Sequence, residues 1–127
     1  VVVSLLDLPQ TYGTPCETRL FREDASIALG LDAMARMLKG VVLPMTVHSH
    51  LTRDDIVFGR PFEVHDTAPE ARRELAAEVG RQIEAFVSLA PEQWHMWTRI
   101  HEFYPTARTV APVATRSGEE GIPHVAH

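Results

Sequence analysis

Leu75, Val79, Ile83, Phe86 and Val87 recur at helical spacing, which lays a single apolar stripe along a long helix. Each of these side chains gains roughly 1.5–3 kcal/mol on leaving water, so the stripe must dock, and no cofactor is needed to explain it. The rest of the chain has to supply the surface that receives it. Thr67 or Asp66 stands where a cap is wanted, Pro69 falls in the first turn and Glu70 lies near the positive end of the dipole. With 127 residues, 45% of them apolar and 23% charged, there is enough material for one core.

The flanking segments suggest what that surface is. Val1 to Leu6 is β-branched and apolar without alternation, the pattern of a strand buried on both faces of a parallel or mixed sheet. Pro9 to Pro15 carries turn chemistry. Asp24 can cap a helix running to Leu38, with Ile27, Leu31, Met34 and Leu38 on its face and Gly40 as its stop. Val41–His48 and Ile56–Val64 read as strands, the second with Ile56, Phe58, Phe62 and Val64 at even offsets on one face. Ser49 to Asp55 joins them as a hairpin connection, and Pro44 and Pro61 place both strands near an edge or a bulge. Pro91 ends the long helix before a segment from Glu92 to Phe103 that holds Trp94, Met96, Trp97, Ile100 and Phe103. These elements predict an α/β domain over residues 1–104, a mixed sheet with helices packed on it, and an extended or disordered tail over 105–127.

Charge and composition exclude some classes of function. A formal charge of -5 leaves no basic surface for a phosphate backbone, so nucleic acid is not an expected partner. No apolar run approaches the roughly 20 residues that cross a bilayer. Cys16 is the single cysteine, which fits a reducing compartment and a bystander thiol. Valine in first place, with no signal-peptide n-region, suggests a piece of a longer chain.

The segment Leu89-Ala90-Pro91-Glu92-Gln93-Trp94 follows an amphipathic helix, with Trp97 and Arg99 shortly after it. Upstream stand Leu5-Leu6-Asp7 before a glycine-containing loop, Leu20-Phe21-Arg22, and a stretch with Ala28, Leu31, Ala33 and Ala35 leading into Gly40-Val41-Val42-Leu43-Pro44. In this order, over about residues 1–104, they resemble the C-terminal half of the bacterial lipid A lauroyl/myristoyl and phosphatidylinositol mannoside acyltransferases. The resemblance implies the C-terminal part of a lysophospholipid acyltransferase-like fold. It implies an enzyme that moves an acyl chain from acyl carrier protein or coenzyme A to a hydroxyl of a glycolipid or phospholipid, in the cytoplasm or at the inner face of the cell membrane, and without a cofactor. Asp7, Gln10, Glu92, Trp94 and Arg99 would lie on the substrate side, and the N-terminal half of the same enzyme would be a partner. The family's catalytic motif, a histidine followed five positions later by an acid, belongs to that N-terminal half, so this chain alone is expected to be inactive. Ile100, His101 and Glu102 stand where the family has more basic residues.

His50 and Asp55 reproduce the histidine-acid spacing, and such a pair can deprotonate a hydroxyl while the carboxylate orients the imidazole. Their place in a hairpin, in a chain with seven histidines, favours coincidence. The competing reading is a non-enzymatic or metal-binding module using His48 and His50, which share one side of a strand. No third ligand stands at a characteristic spacing, so no metal is expected. Three further residues have a structural and a functional reading each. Trp94 fills the core or lines an acyl groove, Arg99 pairs with Glu92 or Glu102 or reaches a phosphate, and Asp7 caps its turn or lies at the mouth of the site.

Overall fold

The computed structural model describes residues 1–104, apart from the side chains of Asp32 and Leu38. In chain order these residues form β1 (Pro15–Leu20), β2 (Glu23–Ala28), α1 (Leu31–Leu38), β3 (Val41–Val42), β4 (Met45–Ser49), β5 (Asp54–Phe58), β6 (Phe62–Glu63) and α2 (Pro69–Leu89). Short 3-10 segments lie at Gln10–Tyr12, Pro91–Gln93 and Trp97–Phe103. The tail expected over 105–127 lies outside the described residues.

The long helix forms as its spacing requires. Pro69 opens it, and Ala76, Val79, Gly80, Ile83 and Val87 are its buried residues. The cap differs from expectation. Ala68 is the N-cap, Asp66 accepts the Ala68 N–H at 2.9 Å, and the Thr67 hydroxyl is engaged by Arg36 at 2.7 Å.

The helix docks on the β1–β2 hairpin. Cys16, Thr18 and Leu20 alternate inward along β1, and their cross-strand partners Ile27, Ala25 and Glu23 continue that face on β2. Thr18 donates to the Ala76 carbonyl at 2.7 Å, so strand and helix backbones approach closely. Gly80 permits this, because a Cβ there would stand 2.6 Å from Thr18 Oγ1 and 2.9 Å from the Arg19 carbonyl oxygen. The hairpin turn holds Phe21 and Arg22 at positive φ (52° and 71°), a conformation that costs a non-glycine residue energy. Two contacts offset it. Glu84 accepts the Phe21 N–H at 2.5 Å, and the Phe21 ring joins the aromatic group beneath.

Two expected elements take another form. Val1 to Leu6 is not a strand, and Val1, Val2, Val3 and Leu5 are exposed. A strand needs a hydrogen-bonding neighbour, and the outer edge of β2 is taken by Leu8 and Pro9 instead, through an Ala28 N–H to Leu8 carbonyl bond of 2.9 Å and a Pro9–Ile27 bridge. The expected helix from Asp24 is confined to Leu31–Leu38, with Gly30 as its N-cap. Residues Glu23–Ala28 pair with β1 because burying Ala25 and Ile27 in the core with Leu20, Val79 and Phe103 outweighs a local helical spacing.

The expected hairpin across Ser49–Asp55 is present, with β4 and β5 antiparallel. Below it β3 pairs with β6, and the two ladders are joined by a Gly59 N–H to Pro44 carbonyl bond of 2.8 Å. Between the pairs Val42↔Phe62 and Met45↔Phe58, Leu43 and Pro44 face three residues, Gly59, Arg60 and Pro61. That one extra residue is a bulge, and it reverses the side-chain phase. Ile56 and Phe58 therefore point outward, 57% and 58% exposed, whereas Phe62 and Val64 are half-buried, so the four do not share the face that their even spacing suggests. The domain is α/β as expected, but its strands form three two-stranded antiparallel pairs among the described residues rather than one mixed sheet.

Candidate functional site: an apolar cleft beside Trp94

Trp94 is buried, although it follows a helix break at Pro91. The Pro91 ring ends the ladder, and the chain turns back so that Trp94 meets Phe21, Trp97 and Phe103, with ring centroids 6.0, 4.9 and 5.6 Å away. Its indole N–H donates to Asp7 Oδ2 at 2.9 Å, and His95 Nε2 stands 4.0 Å from the same oxygen. Asp7 thus binds the aromatic segment rather than capping its own turn. Trp97, 42% exposed, donates its indole N–H to the Pro91 carbonyl.

Beside this junction opens a cleft of about 790 Å³. Leu6, Leu31, Met34, Val42, Ile83, Phe86, Val87 and Trp94 give it apolar walls, with Asp7, Thr46, His48, Gln82, Gln93 and His95 as polar groups between them. Its size, and apolar walls interrupted by polar groups, fall within the range of small-molecule sites. Gly59 seats the hairpin arm against it, since a Cβ there would come within 3.1 Å of both Phe86 and Pro44. Gln93 ties the arm from the other side. Its amide accepts the Ser49 N–H and donates to the Ser49 carbonyl, both at 2.8 Å, as a neighbouring strand would.

The remaining candidates lie elsewhere. His50 Nε2 contacts Asp55 Oδ2 at 2.9 Å and Arg53 reaches Asp55 Oδ1 at 3.1 Å, but all three are substantially exposed at the hairpin tip. His50 borders a second, shallower depression with Leu89 and Glu92, and Asp55 lines neither hollow. Arg99 is committed to Glu102 through two bonds of 2.6 and 2.7 Å, and its guanidinium lies 4.9 Å from the Tyr12 ring centroid. This pairing holds the Glu102 carboxyl below the usual carboxylate range. Gln10 sits in the first 3-10 segment and lines neither hollow. Among the described residues no three His, Cys, Asp or Glu side chains converge on a metal position, and no helix is long and apolar enough to cross a membrane.

Sequence reasoning missed His48 as a group apart from His50. Its Nε2 is screened from solvent and has no hydrogen-bond partner among the described residues. The alternation of β4 places His48 and Thr46 on the half-buried side, a signal that the strand pattern already contained. The chain was compared with known proteins, and no family model, curated protein or solved structure matches it.

Proposed function

We propose that this chain is the acyl-chain-binding part of a lipid acyltransferase of the type its sequence resembles, working at the inner face of the cell membrane with the N-terminal half of such an enzyme. One observation carries the reading. Asp7 and Trp94 belong to two separate stretches that support the resemblance, and they meet in a hydrogen bond on the wall of one apolar cleft. The cleft suits an alkyl chain because its walls are aliphatic and aromatic and its few polar groups sit among them. Asp7 and Trp94 shape the wall. Glu92 and Arg99 do not contact the chain in this reading, and the exposed His50–Asp55 pair takes no part in transfer.

The test is displacement of 11-(dansylamino)undecanoic acid from the purified chain by saturated carboxylic acids of increasing length. Each methylene buried is worth about 0.8 kcal/mol, so affinity should rise about fourfold per added methylene until the cleft is full. Affinity that does not depend on chain length, or no binding of the probe, would overturn the proposal.

A further inference from the structure

A buried imidazole nitrogen without a partner calls for an explanation, because desolvating it without a hydrogen bond is unfavourable. His48 Nε2 is the buried side-chain polar atom in that state among the described residues. His48 lies on β4 where the apolar cleft and the shallower depression meet, since it borders both together with Ala90 and Gln93. Its strand is held in place on two sides. Asp55 is its direct cross-strand partner, and the next residue, Ser49, is clamped through its backbone by Gln93. Asp55 is engaged by His50 and Arg53, and Trp94 uses its donor on Asp7, so neither competes for this nitrogen.

We infer that His48 anchors the oxygen-bearing head of a single-chain lipid whose tail fills the apolar cleft. A neutral imidazole carries one donor and one acceptor, so once the ring turns toward the cleft Nε2 can donate to a carbonyl oxygen or accept from a hydroxyl. The anchor borders both the apolar cleft and the depression lined by the hairpin-tip residues His50, Leu51 and Thr52, which sets the orientation: tail along α2, head at β4. The cleft thereby selects alkyl chains with a terminal oxygen function over chains without one. This inference rests on the acyl-chain reading above and adds to it the residue that sets polarity and register.

The probes are methyl dodecanoate, dodecan-1-ol and 1-chlorododecane, each competed against the dansyl probe on the wild-type chain and on His48→Phe. We expect His48→Phe to weaken the ester and the alcohol about tenfold, the scale of one good hydrogen bond, and to leave the chloride within a factor of two. His48→Gln, which keeps a donor and an acceptor, should recover part of the loss. In the wild-type chain labelled with ¹⁵N, the His48 Nε2 resonance should move on adding the ester and stay in place on adding the chloride, a readout that does not depend on either variant folding. Equal affinities of wild type and His48→Phe for the ester, or an unmoved resonance at saturating ester, would overturn the role of His48 and leave the acyl-chain reading standing. If the wild-type chain takes up none of the three, both readings fall together.

Discussion

The layer made by β1–β2, α2 and the aromatic segment is built differently from the β3–β6 arm. In the first, Leu20, Ile27 and Phe103 have no exposed surface and Val79 has 1%. In the second, Met45, Val47, Ile56 and Phe58 form an outward face about half exposed, and Pro44 is its fully buried residue. The layer is held by interdigitated packing, where each missing atom is felt. The arm is held at points: a bulge glycine, a glutamine clamp and a proline. A two-stranded ribbon is marginal alone, so those points decide whether the arm stays seated on the cleft.

The largest effect should come from the layer. Trp94→Ala removes a buried indole and its bond to Asp7, and should cost about 3–5 kcal/mol in chemical denaturation, whereas Ile56→Ala in the arm should stay within about 0.5 kcal/mol. In a Trp97→Phe background Trp94 is the single tryptophan, and its fluorescence should resist acrylamide. A small loss for Trp94→Ala with strong quenching would erase the distinction between the two regions.

Gly80→Ala tests how tightly the layer is packed. The added methyl meets the Arg19 carbonyl, a backbone atom that cannot swing aside, so a loss of about 1–3 kcal/mol is expected despite the better helix propensity of alanine. A gain in stability would show that β1 and α2 have room between them.

Gln93→Ala should cost about 1 kcal/mol or less globally, because its two bonds to Ser49 are solvent-exposed. The sharper measurement is hydrogen exchange. Amides of β4 and β5 should exchange faster in the variant while those of α2 are unchanged, and a uniform change would mean that the arm and the layer open together.

The smallest effect concerns pH. Bonding to Arg99 lowers the Glu102 pKa from its ordinary 4.5, so the unfolded chain binds more protons as pH falls below that value. The contribution of this carboxylate is present above pH 4.5 and lost as pH falls through the lowered folded value. Glu102→Gln should flatten that part of the acid limb in urea titrations. An unchanged slope would mean that solvent screens the part-buried pair completely.

The long helix and its stripe, the hairpin across Ser49–Asp55 and the break at Pro91 were all legible in the residues, because each rests on contacts close in sequence or on a local stereochemical rule. Asp7 and Trp94 were both legible as site candidates, but their bond was not, since it spans 87 positions. Arg99 found the same-helix partner, Glu102, that its spacing offered.

What failed to show in the sequence depended on edges and phase. Val1 to Leu6 has the composition of a strand, yet Leu8 and Pro9 occupy the edge it would need. Asp24–Ala28 belongs to the expected helix, yet β1 offers it a ladder and the core takes Ala25 and Ile27. A single extra residue at Gly59–Pro61 put Ile56 and Phe58 on the opposite side from Phe62 and Val64, with which their spacing had grouped them. Periodicity records which residues can share a face, and that much the sequence alone determined here. Which face meets the core, and which backbone edge meets a partner, was decided by long-range packing, because hydrogen-bonding groups and apolar surfaces are satisfied by neighbours that local order does not name.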